Sequence, residues 1–309
     1  MKLLNSSNSF KWAFGAATVA ACLVASAGQI AAAPRSSGAI QGGLGPPTRL
    51  EIALDANTDS ALLAREGKTR DAFGFPVGVR RVGRHVIDGF QATEYDEVTE
   101  LDAAGNVEAL TQFDSEGRLR TALRLDATAI AAAGPKVTQD GAVRSAQRSA
   151  VAAGLGVGTP TATEADQAAG GWTVHWARQQ DGVRVRGDET RVHVLPDGRI
   201  QSVAVAEHDL APAPVRRIAS ATARQVASAN LESWFTGRNS GYSIQKVELE
   251  WVGPNAAFDP ARIATAEAPY RLAWVTDVKP SGDAAGYVWL MSLFVDAADG
   301  SIIGGDFVE

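Results

Sequence analysis

Apolar and polar residues alternate along several short segments of this chain, which predicts strands that each bury one face. Trp172, Val174 and Trp176 alternate with Thr173 and His175, for example. Aspartate and glycine recur between such segments, because aspartate caps a tight turn and glycine accepts a positive φ. The strand candidates are residues 95–101, 107–113, 119–125, 172–177, 183–186, 190–195, 200–206, 242–252, 270–278, 287–295 and 301–304.

Two segments have the spacing of helices instead. Residues 143–155 are rich in alanine, and Ser220 can cap a later helix. The apolar face of that later helix would hold Ala223, Val226, Ala227, Leu231 and Trp234. A helix precedes antiparallel strands in both places, so the sequence predicts an α+β fold with two related helix-plus-antiparallel-sheet modules.

The region before these two modules is mostly strand-like and predicts an antiparallel meander. We therefore divide the chain into an export signal (1–33), a flexible leader (34–47), a β-rich N-terminal region (48–130) and two α+β modules (141–214 and 217–309). The leader is rich in Gly, Ser and Pro, a composition typical of flexible linkers.

The first residues predict export. Lys2 and Lys11 form a positive region, and residues 12–24 are an apolar run too short to span a bilayer comfortably. Ala25-Ser-Ala27 fits a signal-peptidase site, so we expect cleavage after Ala27 and a secreted or extracytoplasmic protein. Processing at Cys22 is the alternative, and lipidation there would anchor the chain to the cell surface.

Charge and cysteine content exclude some classes of function. The formal charge of −6 becomes −8 once Lys2 and Lys11 are removed. Such an acidic chain is repelled by phosphate backbones, so we expect no nucleic-acid binding. Cys22 is the single cysteine. After cleavage at Ala27, the protein would have neither a disulfide nor a cysteine nucleophile or metal ligand.

Residues 172–202 carry a family resemblance. The segment from Trp172 leads into Gly182-Val-Arg-Val-Arg-Gly187, then a strand, a Pro196-Asp-Gly198 turn and another strand. This order resembles the fungalysin/thermolysin propeptide of secreted metalloproteases. Residues 270–303, with a Leu-x-Trp strand and a Val-Asp-Ala-x-x-Gly close, resemble the related PepSY module. The resemblance covers residues 143–304 and implies helices laid on curved antiparallel sheets.

The resemblance also implies a function. Propeptides of this kind act as intramolecular chaperones and inhibitors, yet no His-Glu-x-x-His motif of a zinc protease occurs in the chain. We expect a non-enzymatic protein that binds a secreted metalloprotease and inhibits it or assists its folding. The expected partner-binding tail is Gly304, Gly305, Asp306, Phe307, Val308 and Glu309, flexible at its two glycines, with Phe307 as an apolar anchor.

Candidate chemistry is sparse, and we assign no catalytic, cofactor or metal residue. His175 and His193 lie on neighbouring strand candidates and could bind a metal with Asp181 or Asp188, but solvated sheet-face histidines explain them better. A Ser-His-Asp triad lacks a Gly-x-Ser-x-Gly elbow to present its nucleophile. Residues 154–158 resemble a nucleotide loop superficially, but they follow a helix, so we interpret them as a helix terminator.

Two further interpretations remain open. Asp296, Asp299 and Asp306 could bind calcium, although turn capping by aspartate explains them better. The alternative function is a cell-surface or secreted structural or ligand-binding protein that reuses a PepSY-like fold, because fold does not decide function. An enzyme of another type would require a cleft with converging titratable residues.

Overall fold

A computed structural model describes residues 48–52, 56–88, 93–125, 136–166, 171–235, 239–255, 268–286 and 290–308. The predicted export signal and leader, including Cys22 and Ala27, lie outside the described residues. Three α-helices and an antiparallel-dominated sheet confirm the predicted α+β class. No helix of the described ranges is long and apolar enough to cross a membrane.

The described residues contain a helix followed by four antiparallel strands three times. The first module comprises α1 (Ala56–Phe73), β2 (Val79–Asp88), β3 (Thr93–Leu101), β4 (Val107–Asp114) and β5 (Leu119–Arg124), and β1 (Thr48–Ile52) pairs with β2. The second comprises α2 (Gln139–Ala152), β6 (Ala162–Asp166), β7 (Gly171–Gln180), β8 (Val183–Val194) and β9 (Ile200–Ala206). The third comprises α3 (Ser220–Phe235), β10 (Ser240–Val252), β11 (Arg271–Gly282), β12 (Leu290–Asp296) and β13 (Ile302–Val308), with a short 3₁₀ helix (Asp283–Gly286) after β11.

The turn between the last two strands repeats in all three modules. Gly117, Gly198 and Gly300 occupy it with φ between 77° and 89°, where a side chain would be strained. Each of these glycines donates its N–H to the carbonyl that opens the turn, at Asp114, Leu195 or Asp296. The recurrence of helix, four strands and closing turn indicates a threefold repeat, whereas the sequence pattern predicts two modules.

Helix α1 is a correction to the strand-like meander predicted for the N-terminal region. Its buried face consists of Leu62, Glu66, Thr69 and Phe73, which follow helical spacing. Two of these four residues are polar, so the apolar stripe that marks an amphipathic helix is interrupted. Arg70 and Arg80 approach the Glu66 carboxylate to 3.7 and 3.5 Å and compensate part of the cost of burying it.

The modules are joined through their strands. β5 of the first module pairs antiparallel with β9 of the second, and both modules share one apolar core. β8 extends beyond β9 and meets β10 of the third module in a parallel bridge between Val185 and Trp251. The third module has its own core, in which Ala223, Ala227 and Leu231 of α3 pack on the sheet.

Candidate functional site

A cleft of about 650 Å³ lies at one end of the second module's sheet. The loop that follows α2 forms one wall of the cleft. The second half of β7, the middle of β8 and the end of β9 form the other wall. The lining combines backbone, apolar and charged groups: residues 154–159, Thr161, Trp176, Ala177, Arg178, Gln179, Glu189, Thr190, Val205, Ala206 and Glu207.

The loop takes its path because α2 ends abruptly. Gly154 adopts a φ of 84° directly after the C-cap Ala153, and Leu155 donates its N–H to Ala150 O. This geometry is the helix termination that the sequence predicts at residues 154–158. Trp176 Nε1 then donates to Gly158 O at 3.0 Å, which fixes the loop against β7.

Glu189 is the most strongly perturbed carboxylate of the cleft. Partial burial raises its pKa, but hydrogen bonds from His175 and Arg191 outweigh this effect and hold the pKa at about 2. His175 Nδ1 lies 3.4 Å from Glu189 Oε2, and Arg191 contacts the other carboxylate oxygen. Glu189 is therefore ionised throughout the physiological pH range.

A buried carboxylate, Asp188, lies beside the cleft. Its side chain is inaccessible to solvent and accepts hydrogen bonds from Arg178 Nη1 at 2.9 Å, from His208 N at 2.9 Å and from His208 Nδ1 at 2.5 Å. Arg178 also donates to His208 O at 2.7 Å. Buried charge is costly unless it is paired, and here three donors compensate it.

Tyr270 connects this network to the third module. Its ring stacks on the His208 imidazole, with centroids 4.3 Å apart, and its backbone bridges to Leu210. Burial, followed by the negative charges of Asp188 and Asp306, raises the pKa of Tyr270 to about 12. The phenol is therefore a poorer proton donor than an ordinary tyrosine.

These pKa shifts determine what the arrangement can do chemically. A general acid or base works best with a pKa near the operating pH. The pKa of Glu189, which lines the cleft, lies well below neutrality, and that of Tyr270, which stacks on His208 outside the lining, lies well above it. The charged groups also hold each other through ion pairs. Such a cleft is suited to binding a ligand by fixed charges and hydrogen bonds.

The two histidines that we considered as metal ligands and interpreted as solvated sheet-face residues lie on one sheet face but have separate partners. Thr173 pairs with His193, and His175 pairs with Arg191, so the histidines are diagonal neighbours on β7 and β8. His193 contacts Thr173 and Asp166, and burial lowers its pKa. The expectation of a solvated His193 is therefore wrong, since only 9% of the residue is exposed.

The acidic residues that we considered with them, Asp181 and Asp188, do not converge on the histidines either. Asp188 bonds with Arg178 and His208, and Asp181 lies in the turn between β7 and β8. Among the described residues, no group of three or more His, Cys, Asp or Glu is placed to hold a metal ion.

Two of the three aspartates near the final turn, Asp296 and Asp299, follow the turn-capping interpretation, and for Asp306 that interpretation is wrong. Asp296 Oδ1 accepts from Ala298 N at 2.7 Å, and Asp299 Oδ1 accepts from Ser301 N at 2.8 Å. Asp306 bonds instead with Arg186 Nε of β8 at 2.8 Å.

The predicted partner-binding tail is part of a strand. Residues 304–308 belong to β13, which pairs with β12, whereas the sequence predicts a flexible extension after Gly304. Asn255 holds this strand because its Oδ1 accepts from Gly305 N and its Nδ2 donates to Gly305 O. Phe307 is 41% exposed, and Glu309 lies outside the described residues. The partner-binding role of the tail stays a prediction.

Sequence reasoning missed the roles of Arg178, Glu189, His208 and Tyr270. His208 follows β9, and Tyr270, the first residue of the strand candidate 270–278, precedes β11, so strand alternation marks neither residue as part of a site. Their contact joins positions 62 residues apart along the chain, and no local pattern indicates such a pair.

No family model matches the sequence, and no curated protein matches it. Among solved structures, the chain is similar to the Bacillus megaterium YpeB C-terminal domain. The match has 11% sequence identity and a TM-score of 0.41, and it covers 83% of this chain and 98% of that chain.

Proposed function

We propose that this chain is an exported, non-enzymatic protein that binds a secreted protease and inhibits it or assists its folding. The observation that carries the binding role is the cleft of the second module. Its two carboxylates are held by ion pairs, Glu207 with Arg178 and Glu189 with Arg191, and the pKa of Glu189 lies well below neutrality. Fixed charges of this kind favour recognition over proton transfer.

The choice of a protease as partner rests on the propeptide-like motifs of residues 172–202 and on the geometry of β13. Proteins often bind extended segments by strand pairing, with side-chain pockets supplying specificity. β13 presents an extended segment in which Phe307, the residue before its last, is partly exposed. We propose Phe307 as the apolar anchor that contacts the protease.

The direct experiment mixes the purified protein with secreted metalloproteases and measures their activity and refolding yield. We expect slower substrate cleavage or a higher refolding yield with the intact chain, and a smaller effect when residues 304–309 are removed. That truncation removes most of β13 and can damage the fold. Phe307→Ala is therefore the second variant, and Val215→Ala, which truncates a fully exposed apolar side chain, is its control.

The outcome separates binding at the tail from a general effect of added protein. A tail contact predicts that Phe307→Ala weakens the effect and Val215→Ala leaves it unchanged. An intact chain that alters neither activity nor refolding of any secreted protease would overturn the proposal.

The alternative is a secreted or cell-surface ligand-binding protein, and the size of the cleft favours it. Small-molecule sites usually enclose about 300–1,000 Å³, and this cleft falls within that range. A thermal-shift screen with small polar ligands tests it, because a ligand that binds the folded state raises the melting temperature. Stabilisation that Trp176→Phe or Glu207→Gln abolishes would favour this alternative.

A further inference from the structure

The outer edge of β7 is paired with another strand along only part of its length. β6 pairs with β7 only from Asp166, opposite Gly171, to Ala162, opposite His175. Beyond this point Thr161 takes the place of a strand, because its N–H donates to His175 O and its Oγ1 accepts from Ala177 N. β7 continues to Gln180, and no strand of the described residues pairs with its outer edge past Ala177.

The cleft opens along this same stretch. Ala177, Arg178 and Gln179 all contribute to its lining. Backbone N–H and C=O groups at a sheet edge form a template for a further strand. The shape of the site therefore suits an extended polypeptide segment that continues the line of β6.

The loop on the opposite side leaves room for such a segment. Gly156 and Gly158 line the cleft, and a Cβ added at either glycine would meet no atom within 4 Å. The loop thus faces the cleft with backbone at these positions. Backbone groups on both sides suit a ligand that is itself a polypeptide main chain.

The charges of the cleft favour a basic side chain on that segment. Arg178 bonds through Nη1 with Asp188 and His208 O, and its Nη2 lies 3.4 Å from Glu207 Oε1. One positive charge is therefore shared between two carboxylates, and a net negative charge remains beside Glu207. Glu189 and Glu207 both line the cleft, and Glu207 is 39% exposed at the side chain. Glu189 is contacted by Arg191 and His175, and neither of these two partners lines the cleft.

Apolar groups lie close to these carboxylates. Leu155, Val157, Trp176 and Val205 contribute to the same lining. Lysine and arginine bury their aliphatic stems against such surface while the charged head stays near polar groups. The combination of an apolar wall and two carboxylates matches this type of side chain.

We propose that the cleft binds an extended polypeptide segment that pairs with the outer edge of β7 and places a lysine or arginine against Glu207 and Glu189. This inference rests on the proposed protein-binding function, and it names the segment that the second module recognises. It concerns a surface other than the β13 tail.

The experiment titrates the intact protein with a short acetylated and amidated peptide that has a central lysine between alanine and serine residues. Matched peptides carry glutamate or norleucine at the centre. The Trp176 indole N–H resonance reports binding, because this group bonds to Gly158 O within the cleft. Its assignment comes from Trp176→Phe. We expect saturable shifts with the lysine peptide, and affinity about fivefold weaker with norleucine.

Two variants locate the site. Glu207→Gln should weaken the lysine peptide about fivefold and leave the norleucine peptide unchanged. Gly156→Leu should block all the peptides, since the added side chain fills the space beside the loop. Glu164→Gln on β6 makes the same charge change outside the lining and should have no effect. Hydrogen exchange at the amides of residues 177–180 should slow when the peptide is bound.

The results distinguish this inference from the proposed function. Equal binding of the lysine and glutamate peptides, binding unaffected by Gly156→Leu, or no binding would overturn the inference. Cadaverine binding as tightly as the lysine peptide would overturn strand pairing. Protease inhibition that persists in Gly156→Leu while peptide binding is lost would leave the tail proposal standing, because the two sites would then act separately.

Discussion

Arg186 of the second module bonds with Asp306 of the third, with its Nε 2.8 Å from Asp306 Oδ2. The same guanidinium donates to Glu250 and to Ser292 Oγ, and it lies 5.4 Å from the centroid of the Phe294 ring. One side chain of β8 thus reaches three strands of the neighbouring module. The contact fixes β13, the strand that contains the predicted tail.

Replacing Arg186 should destabilise the third module. Arg186→Met keeps much of the aliphatic stem but leaves Glu250 buried without its cation. Removing one partner of a buried ion pair is strongly destabilising, so we expect a loss of about 3 kcal/mol in the free energy of unfolding. Urea unfolding measures it, with the exposed Arg217→Met as control. A loss no larger than that of the control would show that the contacts of Arg186 do not stabilise the third module.

Asp188 should stabilise the network beside the cleft in which it bonds with Arg178 and His208. Asp188→Asn keeps the shape of the side chain but removes the charge that compensates Arg178, and its amide cannot accept at both positions. We expect a loss of about 2 kcal/mol and faster hydrogen exchange at the His208 amide, which donates to Asp188. Asp197→Asn, at a partly exposed turn, should leave exchange at His208 unchanged. Unaltered exchange at His208 in the Asp188 variant would contradict the role of this carboxylate.

The sequence predicts the elements of this fold where local chemistry determines them. β7 and β9 follow from alternating apolar residues, and the turn at Gly198 follows from Asp197-Gly198. Apolar periodicity does not predict helix α1, because Glu66 and Thr69 occupy its buried face and Glu66 forms ion pairs there. A search for apolar periodicity therefore detects the second and third helices and misses the first.

The candidate site depends on features that no local pattern encodes. The cleft exists because β6 stops opposite His175 while β7 continues to Gln180, which is a matter of strand register. His208 and Tyr270 meet only after the third module docks against the second. Charge compensation at Asp188 likewise requires groups from β7 and from the segment after β9.

Glu66 should make stability depend on pH. Burial, and next the charge of Glu100, raises the pKa of Glu66 above its usual 4.5. A raised folded-state pKa gives stability that is fully present below pH 4.5 and is lost as the pH rises through the raised value. Glu66→Gln, which keeps the position neutral, should therefore match the parent chain in acid and exceed it at mildly alkaline pH. Urea unfolding across this pH range tests the sign, with the exposed Glu164→Gln as control. A stability of the variant relative to the parent chain that falls as the pH rises would contradict the prediction.

Glu189 should show the opposite dependence. Its pKa of about 2 lies below the usual 4.5, so its stabilising contribution is present above pH 4.5 and is lost as the pH falls through 2. Glu189→Gln should cost about 2 kcal/mol at neutral pH, after allowance for partial solvent exposure. The difference from the parent chain should shrink toward pH 2. A cost that stays constant across this range would show that His175 and Arg191 do not supply the stabilisation.

Gly304 should be the least replaceable glycine of β13. Its φ of 153° lies outside the range that side chains favour, and an added Cβ would lie 2.6 Å from Asn255 Oδ1 and 2.8 Å from Asn255 N. The backbone nitrogen of Asn255 cannot move without breaking its hydrogen bond to Ile303 O. Gly304→Ala should therefore cost about 2–3 kcal/mol and loosen β13 from Asn255.

Gly156→Ala is the matched control, because its Cβ would meet nothing within 4 Å at an ordinary φ. The free energy of unfolding of this control should change by less than about 0.5 kcal/mol. Urea unfolding gives both values. Equal stability of the two variants would mean that Asn255 does not restrain β13, and the expectation of a flexible tail after Gly304 would then regain support.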